Sequence, residues 1–358
     1  MKNYDFFRQL LDTPSPSGFE EAVQALWRRE VSTFADEVRT NRQGSAIATV
    51  RGKSEKTRFL LLGHADEIGL IVTHIDDNGY LFFNRIGGID TATLINQVVR
   101  ILGPKGMIRG VIGKIAIHLQ TPEQRESKKV DYPDLWIDIG AKSKAEAEEY
   151  APIGTPMVFG GDTIELLNGR IAARDVDNKF GCFVVAEVLR RAAEAKQAGR
   201  LFATVIAAST VQEETGAWGA RQVTREVNPS AAIAVDVSHA TDIPSAQHTR
   251  WGKYELGGGP IVNFGVRTNK KLVHGIIAAG AAAGIPVRRE AEGGSHGTDA
   301  DPSAELHDGV PVATVSNALR YMHTSVEVAD LKEIEQVIDL IAAYVLGVET
   351  DLDFTPGV

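Results

Sequence analysis

The sequence predicts an α/β protein, a mixed sheet flanked by helices that carries an inserted, small all-β barrel-like domain. Three observations point there. Residues 59–62 form a continuous apolar run, the pattern of a strand buried on both faces. After Phe159, apolar runs of strand length alternate with stretches of helical periodicity, the rhythm of a largely parallel sheet covered on both sides. Between residues 69 and 159 the texture differs, with short strand-like runs punctuated by turn signals. The expected domains are a discontinuous α/β unit, residues 1–68 with 160–358, and an inserted β-rich unit, residues 69–159. A chain of 358 residues is long enough for one large or two medium domains.

Each element has a local reason. Phe6, Phe7, Leu10 and Leu11 recur at helical spacing over residues 4–12. The Pro14 and Pro16 pair then stops that helix, since each proline removes a donor and biases its predecessor away from helix. Ser17 is placed to cap a second helix with an apolar stripe of Val23, Leu26, Trp27 and Val31. Residues 45–50 and 59–62 read as strands. Asp77-Asn78-Gly79 between the runs 70–75 and 80–83 is a hairpin signal. Runs at 98–102, 107–112 and 114–118 continue the β series, and residues 142–150, rich in Ala and Glu, read as one helix within it. Beyond the β module, helices are expected over 182–198, from 217, over 272–283 and over 331–346. Strands are expected at 201–209, 231–235, 285–289 and 312–315, and residues 351–358 read as a loose tail.

Composition narrows the function. The 38 Lys and Arg against 47 Asp and Glu leave a formal charge of −9, the wrong sign for a general nucleic-acid binder. The single cysteine, Cys182, has no internal disulfide partner and suits a reducing compartment. No apolar run reaches the length of a membrane span, and the first residues do not read as a signal peptide, so the expectation is a cytoplasmic chain with no membrane partner.

The chemistry-bearing residues fall at the expected carboxyl ends of buried strands, where open α/β sheets place their sites. His64 follows the strand 59–62, and Asp66, two residues on, can orient its ring as in a metal site, or the pair can form a surface turn. Asp177 and Asn178 precede the helix near Cys182; either can cap it, and a carboxylate there can equally bridge two cations. Glu213 and Glu214 follow the strand 201–209 and diverge in direction, so that one can hold a metal and the other a water, or both can form an exposed acidic turn. Asp236 ends an apolar strand, where a buried charge needs a partner. His323 and the small-residue loop Gly297-Thr298-Asp299-Ala300 complete the series. Oxygen and nitrogen donors without a thiolate suit zinc, cobalt or manganese, and Asp177 is the natural bridge for a pair of them. His74, His118 and His274 have no neighbouring ligand and read as structural or surface residues. His296 is placed to line a pocket, Cys182 reads as a small buried residue, and Glu327 can assist the site but reads first as a residue of a solvated turn.

Taken in order, His64-Ala65-Asp66-Glu67-Ile68-Gly69, Asp177-Asn178-Lys179-Phe180-Gly181, Gln212-Glu213-Glu214-Thr215-Gly216, Asp236-Val237, Gly297-Thr298-Asp299-Ala300 and His323-Thr324-Ser325 resemble the M42 family of dinuclear metallo-aminopeptidases. These are the tetrahedral, or TET, aminopeptidases, with glutamyl, leucyl and lysyl members. Each motif alone is weak, but six in collinear order across nearly the whole chain are specific. Lys179, Ala65 and Thr324 depart from the commoner family pattern without removing a ligand or the base.

The resemblance implies that His64 and Asp236 bind one metal, that Glu214 and His323 bind the other, and that Asp177 bridges. It implies two divalent ions per subunit, zinc or cobalt first and manganese as an alternative. Glu213 is implied as general base toward a water held between the two metals, with Asp66 orienting His64. The β module is implied as a dimerisation domain, with dimers building a homododecameric shell that admits short peptides. Two other readings stand beside this one. One is a two-metal hydrolase of another amide, of the N-acyl amino acid type. The other is a non-catalytic shell protein of the same fold, which predicts a damaged ligand set. A two-carboxylate glycosidase would leave His64 and His323 without a purpose.

Overall fold

The computed structural model describes residues 1–122, 125 and 130–357. Near the N-terminus, helix Tyr4–Asp12 buries Phe6, Phe7, Leu10 and Leu11, the stripe expected from its spacing. Helix Glu21–Val31 follows, burying Val23, Gln24, Trp27 and Val31. Ser17 does not cap it. The residue at the cap position is Glu20, whose Oε1 accepts from the backbone of Gly18 and Gln212, while the Ser17 hydroxyl pairs with Thr215. The proline-rich turn thus ties the first helices to the loop that carries Glu213 and Glu214.

In chain order the strands are β1 (Glu37–Thr40), β2 (Ala46–Val50), β3 (Arg58–His64), β4 (Gly69–Ile75), β5 (Leu81–Ile86), β6 (Val98–Gly103), β7 (Gly106–Gly113), β8 (Trp136–Asp138), β9 (Pro156–Phe159), β10 (Ile164–Leu166), β11 (Arg170–Ala173), β12 (Thr204–Thr210), β13 (Ala231–His239), β14 (Ile261–Gly265), β15 (Arg288–Glu292), β16 (Val312–Leu319) and β17 (Glu327–Asp330). Eight of them form one mixed sheet in the order β1-β2-β12-β3-β13-β16-β14-β15. The central four, β12, β3, β13 and β16, run parallel. Their carboxyl ends therefore share one edge of the sheet, with Thr210 directly beside His64. β2 and β14 flank this core antiparallel. The central strands are buried almost throughout, which is why their sequences read as unbroken apolar runs.

Helix Val176–Gln197 is the keel of the molecule. Every residue from 176 to 189 is buried, and the helix packs against β3, β12 and β13 and against helices Tyr4–Asp12 and Leu331–Leu346. Trp27 locks the second helix to it by donating its indole N–H to the Cys182 carbonyl at 2.9 Å. Helices Trp218–Val227 and Ala300–Ala304 cover the opposite face of the sheet over a smaller apolar cluster.

β4 to β9 close into a six-stranded antiparallel barrel in the order β4-β5-β8-β7-β6-β9, with its own apolar core. Its strands lie between β3 and β10 in the sequence. Two expectations for this region need changing. Residues 114–118 do not form a strand; a short 3-10 turn, Ile117–Leu119, stands there on an exposed stretch. The helix begins at Lys144, capped by Ser143, whose side chain accepts from the Glu146 N–H.

A small sheet, β10-β11-β17, was not foreseen, and neither were the edge strand β1 and the strand β14 between β16 and β15. The C-terminal stretch is not loose: Phe354 is buried edge-on against Phe59, and Asp351 accepts from Ser54 and Thr57. Val358, the last residue of that expected tail, lies outside the described residues. Among the described residues, no helix is long and apolar enough to cross a membrane.

Candidate active site

The parallel strand ends, the turn after β12 and two loops of the eight-stranded sheet converge on one cavity of about 430 Å³. His64 is the last residue of β3. Asp236 lies in β13, and Glu213 and Glu214 form the turn that follows β12. Asp177 sits in the first turn of helix Val176–Gln197, where Asp177 and Asn178 depart from helical geometry and their shared peptide is cis. His323 lies on the loop between β16 and β17.

Two glycines make this convergence possible. A Cβ on Gly63 would lie 2.4 Å from the Gly181 backbone, and one on Gly181 would lie 2.5 Å from the Val235 carbonyl. Without side chains there, the helix start settles directly against β3 and β13 and delivers Asp177 between them. Asn178 seals the junction: it donates to the Val235 carbonyl at 2.7 Å and caps the helix by accepting from Gly181 N–H at 2.7 Å.

The Asp177 carboxylate stands between the two imidazoles. Oδ1 is 3.3 Å from His64 Nε2, and Oδ2 is 3.4 Å from His323 Nε2. Glu214 Oε2 also lies 3.4 Å from His323 Nε2. Two groups of potential ligand atoms result, His64 with Asp177 and Asp236, and Asp177 with Glu214 and His323, sharing Asp177. Glu213 belongs to neither group; its Oε2 stands 3.9 Å from His64 Nε2 at the edge of both.

The surroundings fix the orientation of these groups. His64 Nδ1 is 3.0 Å from the Asp66 carbonyl and 3.5 Å from the Asp66 carboxylate. That carboxylate accepts from the backbone N–H of Glu213 at 2.9 Å and of Glu214 at 3.0 Å, so the fully buried Asp66 holds the β3 and β12 ends together. His323 Nδ1 is 2.8 Å from the carbonyl of Gly88, in the loop after β5. Asp175, Gln212 and His323 all hold left-handed φ angles near 60°, a conformation that non-glycine residues adopt at a cost and that clusters at functional sites.

Glu327 departs from the sequence reading. It is buried at the start of β17 and brackets the two halves of the site, accepting from Asp177 N–H at 2.9 Å and His323 N–H at 3.0 Å. Asp299 is likewise buried and accepts from Thr210 Oγ1 at 2.5 Å. Beneath the site, Arg174 pairs with Glu67, and Lys179 pairs with Asp175 and Ser15. His296 lines the cavity as expected. His74 and His274 are exposed and lie against Phe82 and Phe264, and His118 is exposed. Cys182 is buried, and burial pushes its thiol up to about 12.

The electrostatics fit a cation. Burial drives Glu213 and Glu214 well above the usual carboxylate range, and neighbouring carboxylates add to the shift. Burial also raises Asp236, with Asp177 reinforcing it. Burial opposes charge at His64 too, but Asp177 and Asp66 more than offset that and hold the ring well above its ordinary value. Asp177 is held low, as Asp66 is: burial opposes the charge of Asp177, but the two imidazoles outweigh it. Buried carboxylates packed this closely cannot all ionise without positive charge among them. No Lys or Arg is among the described residues lining the cavity. A donor set of two imidazoles and carboxylates suits borderline divalent cations. A larger cleft of about 790 Å³, beside the C-terminal stretch, contains neither group of ligating residues.

The chain resembles known proteins in sequence and in fold. Residues 44–340 match the model of the family described as M42 glutamyl aminopeptidase. The chain is 32% identical to the lysyl aminopeptidase of Pyrococcus furiosus over 360 aligned positions, covering 99% of this chain and 100% of that one. Its fold matches the TET aminopeptidase of a marine-sediment Thaumarchaeota archaeon with a TM-score of 0.90 and 32% identity, over 96% of both chains. It also matches the Pyrococcus horikoshii TET1 peptidase, which can assemble into a tetrahedron or a large octahedral shell. That match has a TM-score of 0.82 and 30% identity, over 95% of this chain and 98% of the other. The chain therefore belongs to the M42 family of peptidases, hydrolases that cleave peptide bonds.

Proposed function

We propose that this protein is a metal-dependent aminopeptidase that releases N-terminal residues from short peptides. The observation that carries the reading is the pair of ligand groups sharing Asp177, with Glu213 beside both and outside each. His64, Asp236 and Asp177 would hold one divalent ion, and Glu214, His323 and Asp177 the other. Zinc or cobalt is the first choice and manganese the alternative. Such ions, when bound, acidify a water and polarise a carbonyl.

The chain's own residues do the rest. The Glu213 carboxylate takes the proton of the attacking water and passes it to the departing amine. Asp66 fixes the backbone of Glu213 and Glu214, so the base and one ligand are positioned by the same carboxylate. Glu327 holds the backbone of Asp177 and His323 in the same way. A cavity of about 430 Å³ suits a short chain end. The barrel is the proposed dimerisation domain of residues 69–159, with residues 1–68 and 160–358 as the catalytic unit. Dimers would assemble into a tetrahedral dodecamer in the cytoplasm.

The test is hydrolysis of leucyl and alanyl anilides by metal-reconstituted protein, with N-acetyl-leucyl anilide as the blocked control. Free-amine substrates should be cleaved, EDTA should abolish cleavage, and the blocked substrate should survive. Cleavage of the blocked substrate would move the assignment to another amide. Intact metal content without any cleavage would favour a non-catalytic shell.

A further inference from the structure

One wall of the cavity takes no part in holding metal or moving protons. It is built where β14 and β15 run side by side. Parallel pairing sets Asn263 beside Glu290, and Gly265 beside Glu292. Glu290 and Glu292 are two apart in β15 and so share a face, and both line the cavity with Asn263 and Ser238. Both Glu290 oxygens accept from the Ser238 hydroxyl, at 2.8 and 2.9 Å, which fixes that carboxylate.

The charge on this wall is left over. Two divalent cations would balance Asp177, Glu214, Asp236 and Glu213, leaving Glu290 and Glu292 uncompensated. The nearby arginines are engaged elsewhere. Arg288 donates to the Gly259 and Glu255 carbonyls and to Glu333. Arg267 pairs with Asp301 and Glu305. Arg289 alternates to the other face of the strand and does not line the cavity.

A second, independent feature points to a donor-rich ligand. Asn263 is 6% exposed, and its Oδ1 is buried with no hydrogen-bond donor among the described residues. Buried acceptors are seldom left unpaired, so an unpaired one lining a cavity marks a place where a donor arrives. His296 lies across the same wall, its Nε2 2.5 Å from where a Gly265 Cβ would stand, and both of its ring nitrogens lack partners. The wall therefore presents two carboxylates and an amide oxygen, and among the described residues lining it there is no ammonium or guanidinium.

Resting on the aminopeptidase reading, we propose that Glu290, Glu292 and Asn263 form the pocket for the substrate's first side chain and select a basic one, lysine or arginine. A charged donor group would satisfy the Asn263 oxygen and balance the wall. An apolar side chain would leave the buried Asn263 oxygen unpaired and the two carboxylates without a counter-charge, and an acidic one would meet like charge.

The experiment compares kcat/KM for lysyl, arginyl, leucyl and glutamyl anilides on metal-reconstituted enzyme, for the wild type, Glu290→Gln, Glu292→Gln and Glu292→Lys. The wild type should favour lysyl and arginyl over leucyl by about tenfold or more, with glutamyl the poorest. Each Gln substitution should lower the lysyl-to-leucyl ratio about tenfold, chiefly through KM, and Glu292→Lys should raise glutamyl cleavage. Glu292 is exposed, so its variants keep the test open if Glu290→Gln folds poorly. Wild-type enzyme that cleaves leucyl or glutamyl anilide as well as lysyl overturns this inference and leaves the aminopeptidase reading standing. So does a lysyl-to-leucyl ratio that the substitutions leave unmoved. Failure to cleave any free-amine anilide overturns both.

Discussion

Among single residues, Glu213 carries the sharpest expectation. Glu213→Gln keeps size and polarity but cannot accept the proton, so kcat should fall by about 10³-fold. Metal content by elemental analysis should not change, because Glu213 lies outside both ligand groups. Glu20 offers a test on stability. Burial, reinforced by Asp66, lifts its carboxyl from 4.5 to about 7. A raised carboxylate binds its proton more tightly in the folded state, so this group destabilises the fold increasingly as pH rises from 4.5 to about 7 and does not below that window. Glu20→Gln retains the oxygen that accepts from Gly18 and Gln212. It should raise the thermal midpoint near pH 8, a gain of ~1–3 kcal/mol, and change it little near pH 5. The chemistry-bearing residues were legible because each stands in a short motif directly after a buried strand. Asp299 stood in the small-residue loop, whereas the burial of Glu327 was not legible. A lone glutamate in Val326-Glu327-Val328 looks solvated until β17 is seen to pair with β11 beside Asp177.

Elements were legible in proportion to their burial. The strands β3, β12, β13 and β16 and the four long helices announce themselves by unbroken or periodic apolar residues. β1 is four residues long and largely unburied, and β10 is three residues long and exposed, so neither leaves a pattern to read. Ser17 was a sound local cap candidate whose hydroxyl was drawn away by a tertiary contact with Thr215. Contacts between elements are the least legible of all, and the Gly63–Gly181 approach is the example. Gly181→Ala forces a methyl into the Val235 carbonyl and the Asn178 side chain. The helix start must then withdraw from β13, at about 1–3 kcal/mol of stability. Because Asp177 rides on that turn, metal affinity measured by competition with a chelator should weaken as well. Unchanged affinity in a folded variant would show that Asp177 is positioned by something other than this close approach.

For the whole molecule, the proposed metals act as a structural counter-charge as much as a catalytic one. Chelation should lower the thermal midpoint by several degrees, and zinc or cobalt should restore it, since an ion that binds only the folded state stabilises that state. The barrel surface gives a test of assembly. Val98 and Val111 face each other across β6 and β7, 42% and 48% exposed. If copies meet through the barrel, Val111→Asp should reduce the mass seen by light scattering while leaving the circular dichroism spectrum intact. That a barrel interrupts an α/β sheet was legible from the change in texture after residue 69, but how closely the barrel leans on the site was not. Gly88 holds the ring of His323 through its carbonyl, and a Cβ on Gly87 would come within 3.2 Å of Glu214. Only residues 65–68 separate β3 from β4, and Asp66 and Glu67 are among them. The barrel is therefore not a detachable cassette. A protein engineer who replaced it with a short linker would keep every ligand in the sequence and still lose the carbonyl that orients one imidazole, so a minimal, barrel-less enzyme would need a substitute for Gly88 designed into it.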